Sequence, residues 1–143
     1  MAQHAIIVYI VTPAFAGVTE TMMQGLKMAV LKLTIGSSAE EEASQRFIDA
    51  WHRAEKGEVF QERHLAFESW EAFTRTLTGK RLELLRHVHR NPAASMRALA
   101  KALGRDYSNV HADVQALSAA GLLDTTGGAV RAEYDAIETK IAI

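Results

Sequence analysis

The chain has 143 residues, 48% of them hydrophobic and 23% charged, which suits one globular domain with an accessory segment. It contains no cysteine, which excludes disulfides, thiolate metal sites and cysteine nucleophiles and fits a cytoplasmic protein. The formal net charge of −1 hides an uneven distribution: residues 37–76 carry five Lys/Arg against nine Asp/Glu, while residues 79–120 carry seven against three. His87, His89 and His111 lie in the same basic block, so one part of the fold is expected to present a basic face.

The first 27 residues differ from the rest. Residues 5–16 are nearly all apolar, carry no charge and are broken by Pro13, a run too short to cross a bilayer as a helix. Ala14-Phe15-Ala16 has the form of a signal cleavage site, but no Lys or Arg precedes the apolar run, so a secretory signal is disfavoured. The stretch Thr12-Pro-Ala-Phe-Ala-Gly-Val-Thr19 resembles the peptide produced when a common bacterial intergenic repeat is translated. A clean strand pattern begins just after Met28. Residues 1–27 are therefore expected to be a non-native or disordered extension, with Met28 (or Met22 or Met23) as the natural start.

Residues 30–35, Val-Leu-Lys-Leu-Thr-Ile, alternate in polarity and stop at Gly36, the pattern of a strand. Ser37-Ser38 followed by Glu40, Glu41 and Glu42 starts a helix, since a hydroxyl caps free amides and carboxylates suit the positive end of the dipole. That helix is expected to run to about Lys56, with Phe47, Ile48, Trp51 and Ala54 as an apolar stripe that docks on the core or forms a dimer interface. Residues 59–67 read as a short second strand with His64 on an exposed edge. Ser69 caps a helix containing Trp70, Phe73 and Leu77. Residues 80–90 form another helix, with Leu82, Leu85 and Val88 inward and Leu84 alongside, closed by Asn91-Pro92.

Residues 95–123 are the informative block. Ser95 caps a helix whose inner face is Met96, Leu99, Ala100 and Leu103, and Gly104 supplies the permissive backbone that ends it. Asp106 caps the next helix, residues 107–120, with Val110, Val114 and Leu117 inward. Two short helices joined by a glycine-containing turn make a helix-turn-helix. Ala100 is small where the helices cross, and Val110 fills the space between them. Thr125-Thr126-Gly127-Gly128 is a tight turn, residues 129–133 return extended, and such a hairpin after a recognition helix is a wing. Ile137, Thr139, Ile141 and Ile143 alternate with other residues, so the chain is expected to end on a strand with a buried face.

The runs Leu77-Thr-Gly-Lys-Arg-Leu-Glu-Leu-Leu85, Ser95-Met-Arg-Ala-Leu-Ala-Lys-Ala-Leu-Gly-Arg-Asp106, Asn109-Val-His-Ala-Asp-Val-Gln-Ala-Leu117, Gly121-Leu-Leu and Tyr134-Asp-Ala-Ile137 carry a family resemblance. Together they resemble a family of winged helix-turn-helix transcriptional regulators of bacteria and archaea, MarR/ArsR-like and often encoded beside toxin genes. The resemblance covers residues 28–143 and implies double-stranded DNA binding and antitoxin-like autoregulation. Relatives often carry a basic residue where this chain has Ala112. The expected fold is α+β and mainly helical: residues 28–76 an N-terminal strand and helical dimerisation segment, residues 77–143 the winged helix.

The helix wheel independently places Ser108, Ala112 and Gln115 outward, flanked by Tyr107 and His111, as the base-facing set. Gln115 can pair bidentately with adenine, and Ser108 with a base or phosphate. Arg97, Lys101 and Arg105 are expected at phosphates, and Arg131 on the wing at backbone or minor groove. Asp113 is expected to pair with a neighbouring Arg, and His111 to be a helix-surface residue. No catalytic constellation, cofactor motif or metal-ligand spacing stands out: His87 and His89 at i, i+2 face different sides of a helix. The sequence reads as a non-enzyme acting as a homodimer on DNA, with no membrane partner. The alternative is an interaction module that binds a toxin protein through residues 37–76. The dimer is expected to use the Phe47, Ile48, Trp51 helix, with residues 30–35 pairing across the interface with residues 138–143.

Overall fold

The computed structural model describes residues 9–10, 29–36, 39–57, 62–141 and 143. The chain is α+β and divides into two compact units: Trp70–Glu133 forms one, and the described residues up to Ser69 join Tyr134–Ile143 in the other. This corrects the expected division at residues 76 and 77. The last ten residues return to the N-terminal unit, and the helix after Ser69 belongs with the C-terminal one.

In the first unit, β1 (Tyr9–Ile10), β2 (Val30–Ile35), β3 (Glu62–Phe67) and β4 (Ala136–Ile141) form a sheet in the order β1-β3-β2-β4. β2 runs parallel to both β3 and β4, with Leu33 opposite Leu65 on one side and Thr139 on the other. The helix α1 (Ala39–Glu55) makes the crossover between β2 and β3, as a parallel pair requires. Leu31, Leu33, Ile35, Leu65 and Phe67 are almost fully buried on one face, and Thr34, His64 and Ala66 are buried on the other, the mark of central strands covered on both faces.

Asp135 sets the register between strands far apart in sequence: Ala29 N–H donates to its carboxylate at 2.9 Å, and Asp135 N–H donates to Ala29 C=O at 2.8 Å. Residues 30–35, expected to pair with residues 138–143 of a second chain, pair instead with residues 136–141 of their own. Next to this clamp Tyr134 is buried, and that burial pushes its phenol well above its ordinary range, against the weaker opposing charge of Arg63.

Tyr9–Ile10 pairs antiparallel with β3, and the other residues of the expected non-native or disordered extension, residues 1–27, lie outside the described residues. Pairing there satisfies an otherwise open strand edge. His64 does lie on a strand, but it is buried at 1% exposure because β3 has strands on both sides. On α1 the sheet-facing residue is Ala50, while Ile48 and Trp51 are 44% and 55% exposed. The reason is the polar surface beneath: Lys32, His64 and Glu138 meet Arg46, Asp49 and Arg53 around a cavity of about 350 Å³. A helix docking on that surface turns its charged and small side inward and leaves the aromatic stripe outside.

The second unit contains α2 (Trp70–Thr76), α3 (Gly79–Arg90), α4 (Met96–Leu103) and α5 (Tyr107–Ala119). α3 is capped by Thr78, whose hydroxyl accepts from Arg81 N–H at 3.3 Å, and it buries Leu84, Leu85 and Val88. The core is completed by Leu99 and Ala100 from α4, Val110, Val114 and Leu117 from α5, and Leu122, Leu123 and Val130 after it. The buried face expected for the final strand is not found at its end: Ile141 is 48% exposed, and Ile143 is exposed too, because β4 lies at the sheet edge.

Candidate functional site

The second unit's most regular feature is the α4–α5 pair. Ser95 Oγ accepts from Ala98 N–H at 3.1 Å and starts α4. Gly104 closes it at φ 63°, ψ 32°, while Gly104 N–H and Arg105 N–H donate back to Lys101 and Ala100 carbonyls. That double bond pattern over a left-handed residue is a Schellman closure. Asp106 restarts the chain by accepting from Asn109 N–H at 3.3 Å. α5 closes in the same way, with Gly121 at φ 84° and Leu122 N–H donating to Leu117 C=O at 2.8 Å. Both turns follow from glycines placed where L-residues are strained.

The chain after α5 folds back on itself. Asp124 and Arg131 exchange two backbone hydrogen bonds of 2.9 Å, and Val130 exchanges two with Ala93, in the segment between α3 and α4. The hairpin tip is shaped by Gly127 and Gly128 at φ 72° and 81° and by Asp124 accepting from Thr126 N–H. His89 Nδ1 donates to Ala132 C=O at 3.0 Å, and the Ser118 and Thr125 hydroxyls meet at 3.3 Å, so side chains of α3 and α5 both hold this hairpin.

α5 has two unlike faces. Val110, Val114 and Leu117 are fully buried, as the wheel requires. Tyr107, Ser108, Ala112 and Gln115 are exposed; His111 is half-buried, its ring 5.8 Å from that of Tyr107. Asn109 is exposed beside them, which the sequence reading did not single out. The outward face of α5 thus offers hydroxyl, amide and imidazole groups and no formal charge. Arg97 and Lys101 on α4, and Arg131 on the hairpin, are exposed cations.

Arg105 is placed differently from its three companions. It is half-buried, and its Nη2 donates to Asp113 Oδ2 at 2.6 Å. Asp113 Oδ1 accepts from Arg81 Nε at 3.0 Å, while Arg81 Nη1 reaches the carbonyls of Arg75 and Thr76 at the end of α2. The expected Arg partner of Asp113 is therefore two arginines. Burial alone would raise the Asp113 carboxyl, but the hydrogen bonds and charges of Arg105 and Arg81 hold it below its ordinary range. Sequence reasoning missed Arg81. The available signal was an acidic residue inside the helix 107–120, next to the inward Val114 and within the basic block, which has to find cations when half-buried.

The class these features define is a small α+β protein with a paired-helix unit and a separate parallel-sheet unit. Residues 76–139 match the model of the family described as HVO_A0114. No curated protein and no solved structure matches the chain. Among the described residues no helix is long and apolar enough to cross a membrane.

Proposed function

We propose that the second unit is a winged helix-turn-helix domain and that the protein is a sequence-specific regulator that binds double-stranded DNA. The observation that carries this reading is the outward face of α5: uncharged hydrogen-bonding side chains, with the exposed cations Arg97, Lys101 and Arg131 on neighbouring elements. Base edges are read by such groups in the major groove, while phosphates are met by cations around it. Tyr107, Ser108, His111 and Gln115 then face bases, with Ala112 leaving room for close approach. Arg97 and Lys101 contact phosphates, Arg131 contacts the backbone or minor groove from the wing, and Arg105 adds the donors that Asp113 leaves over.

The resemblance to MarR/ArsR-like regulators supports a cytoplasmic, homodimeric repressor of its own operon, with no enzymatic step. A second reading has its own support. Ile48 and Trp51 are exposed on α1, and this surface suits an apolar partner protein such as a toxin. The two readings are separated by measuring binding to the DNA upstream of the gene at increasing salt. Phosphate contacts release counterions, so log K should fall linearly with log salt, with a slope of about −0.9 per contact. Binding that is absent, or that does not respond to salt, would overturn the DNA reading.

A further inference from the structure

We propose that β4 pairs antiparallel with β4 of a second copy of this chain, about a two-fold axis at Thr139, so that two sheets become one. Four observations carry this. β4 is the last strand of the sheet, and among the described residues nothing pairs with its outer edge. An open edge is a row of unpaired backbone donors and acceptors, which proteins usually cover, bulge or break with proline. β4 has no proline and runs unbroken in register with β2 from Ala136 to Ile141. Its apolar residue Ile141 is 48% exposed.

The fourth observation is the sequence of the strand, Ile137-Glu-Thr-Lys-Ile141, which is complementary to its own reverse. Antiparallel pairing centred on Thr139 sets Ile137 against Ile141 of the second copy, Glu138 against Lys140, and Thr139 against Thr139. Side chains alternate between faces along a strand. The two isoleucine pairs and the threonine pair therefore share one face, and both Glu–Lys pairs share the other. Charges on an edge strand normally deter pairing, but here their order makes them attractive with one partner, a two-fold copy of the same strand. Slipping the register by one residue would bring unlike groups together. Lys140 already meets Glu42 of α1 at 2.6 Å, so in the pair it lies between two carboxylates.

The interface belongs entirely to the first unit and does not rest on the DNA-binding reading. It gives a route to the two-fold symmetry that a palindromic operator demands. Its test uses the full chain without DNA. Sedimentation should show a dimer at micromolar concentration. The protein has no cysteine, so Thr139→Cys introduces a single thiol at the axis, where paired Cα atoms lie about 4.5–5.5 Å apart, within disulfide range. Mild oxidation should link this variant into covalent dimers, while Trp51→Cys on α1 should stay unlinked. Glu138→Lys and Lys140→Glu should each weaken the dimer by about tenfold, because each places like charges opposite one another twice. An equimolar mixture of these two variants should restore wild-type affinity as a heterodimer. A monomeric wild type, cross-linking at residue 51 instead of 139, or a mixture no tighter than its components would overturn the proposal.

Discussion

Arg105 and Asp113 are joined at 2.6 Å across the turn between α4 and α5, and the same carboxylate is held from its other side by Arg81. The outward face of α5 is therefore set by more than its buried stripe. Asp113 sits one residue from Ala112 and two from Gln115, so the ion pairs fix the rotation of the part of α5 that would approach a ligand.

Removing the carboxylate should be costlier than removing one arginine. Asp113→Ala leaves two half-buried guanidinium groups without their partner and should destabilise the protein by about 1.5–3 kcal/mol. Arg105→Ala leaves the Arg81–Asp113 pair in place, and a loss of about 1 kcal/mol is expected. Urea unfolding of the three proteins checks the order. Equal losses would mean that Arg105 alone carries the contact.

The same group predicts an acid response. Asp113 is held below its ordinary value of 3.8, so the folded state binds its proton less readily than the unfolded chain. Its stabilising contribution is complete above that ordinary value and is lost as pH falls through the lower folded value. Asp113→Asn removes this proton linkage. The difference in stability between wild type and Asp113→Asn should thus be constant near neutrality and shrink below about pH 4. Thermal melts from pH 7 downward measure it.

Gly104 holds a left-handed conformation, and a Cβ built there would meet nothing within 4 Å. The cost of Gly104→Ala is then conformational alone, about 1 kcal/mol, and Gly104→Asn should cost less because asparagine tolerates this region. Gly104→Val should cost more than either. A much larger loss for alanine would mean that the turn shifts and the helix pair opens.

The helix pair was legible in the sequence because its determinants are local. Ser95, Gly104 and Asp106 mark the caps, and Leu99, Val110, Val114 and Leu117 recur at helical spacing. The sheet was only half legible. The strand patterns at residues 30–35 and 136–141 are visible, but nothing local says that residues about a hundred positions apart pair in parallel within one chain. Asp135 makes that join through its contacts with Ala29, and a lone aspartate after a tyrosine carries no such signal. The aromatic stripe of α1 does not dock on the sheet, one of its two expected uses, for a related reason. Helical periodicity identifies a face, but the face buried here is chosen by Lys32, His64 and Glu138 on the strands below.

The last prediction separates positioning from reading on the proposed DNA interface. Arg97→Ala and Lys101→Ala each remove an exposed cation, so each should weaken binding to the operator and to random DNA about equally. Each should also flatten the salt slope by roughly one unit, since one phosphate contact is gone. Gln115→Ala removes an exposed amide that makes no charge contact; it should cost about 1–3 kcal/mol on the operator and little on random DNA. Ala112 lies between them in logic: it is exposed, central and small. Ala112→Arg adds a cation at the middle of the outward face and should raise affinity for both DNAs if α5 enters the groove in this orientation. None of these residues is buried, so all four variants should melt with the wild type, which removes unfolding as an explanation. Anisotropy titrations at two salt concentrations measure every case. If Arg97→Ala and Lys101→Ala weaken binding while Ala112→Arg and Gln115→Ala change nothing, then α4 contacts the DNA backbone and α5 does not face the bases.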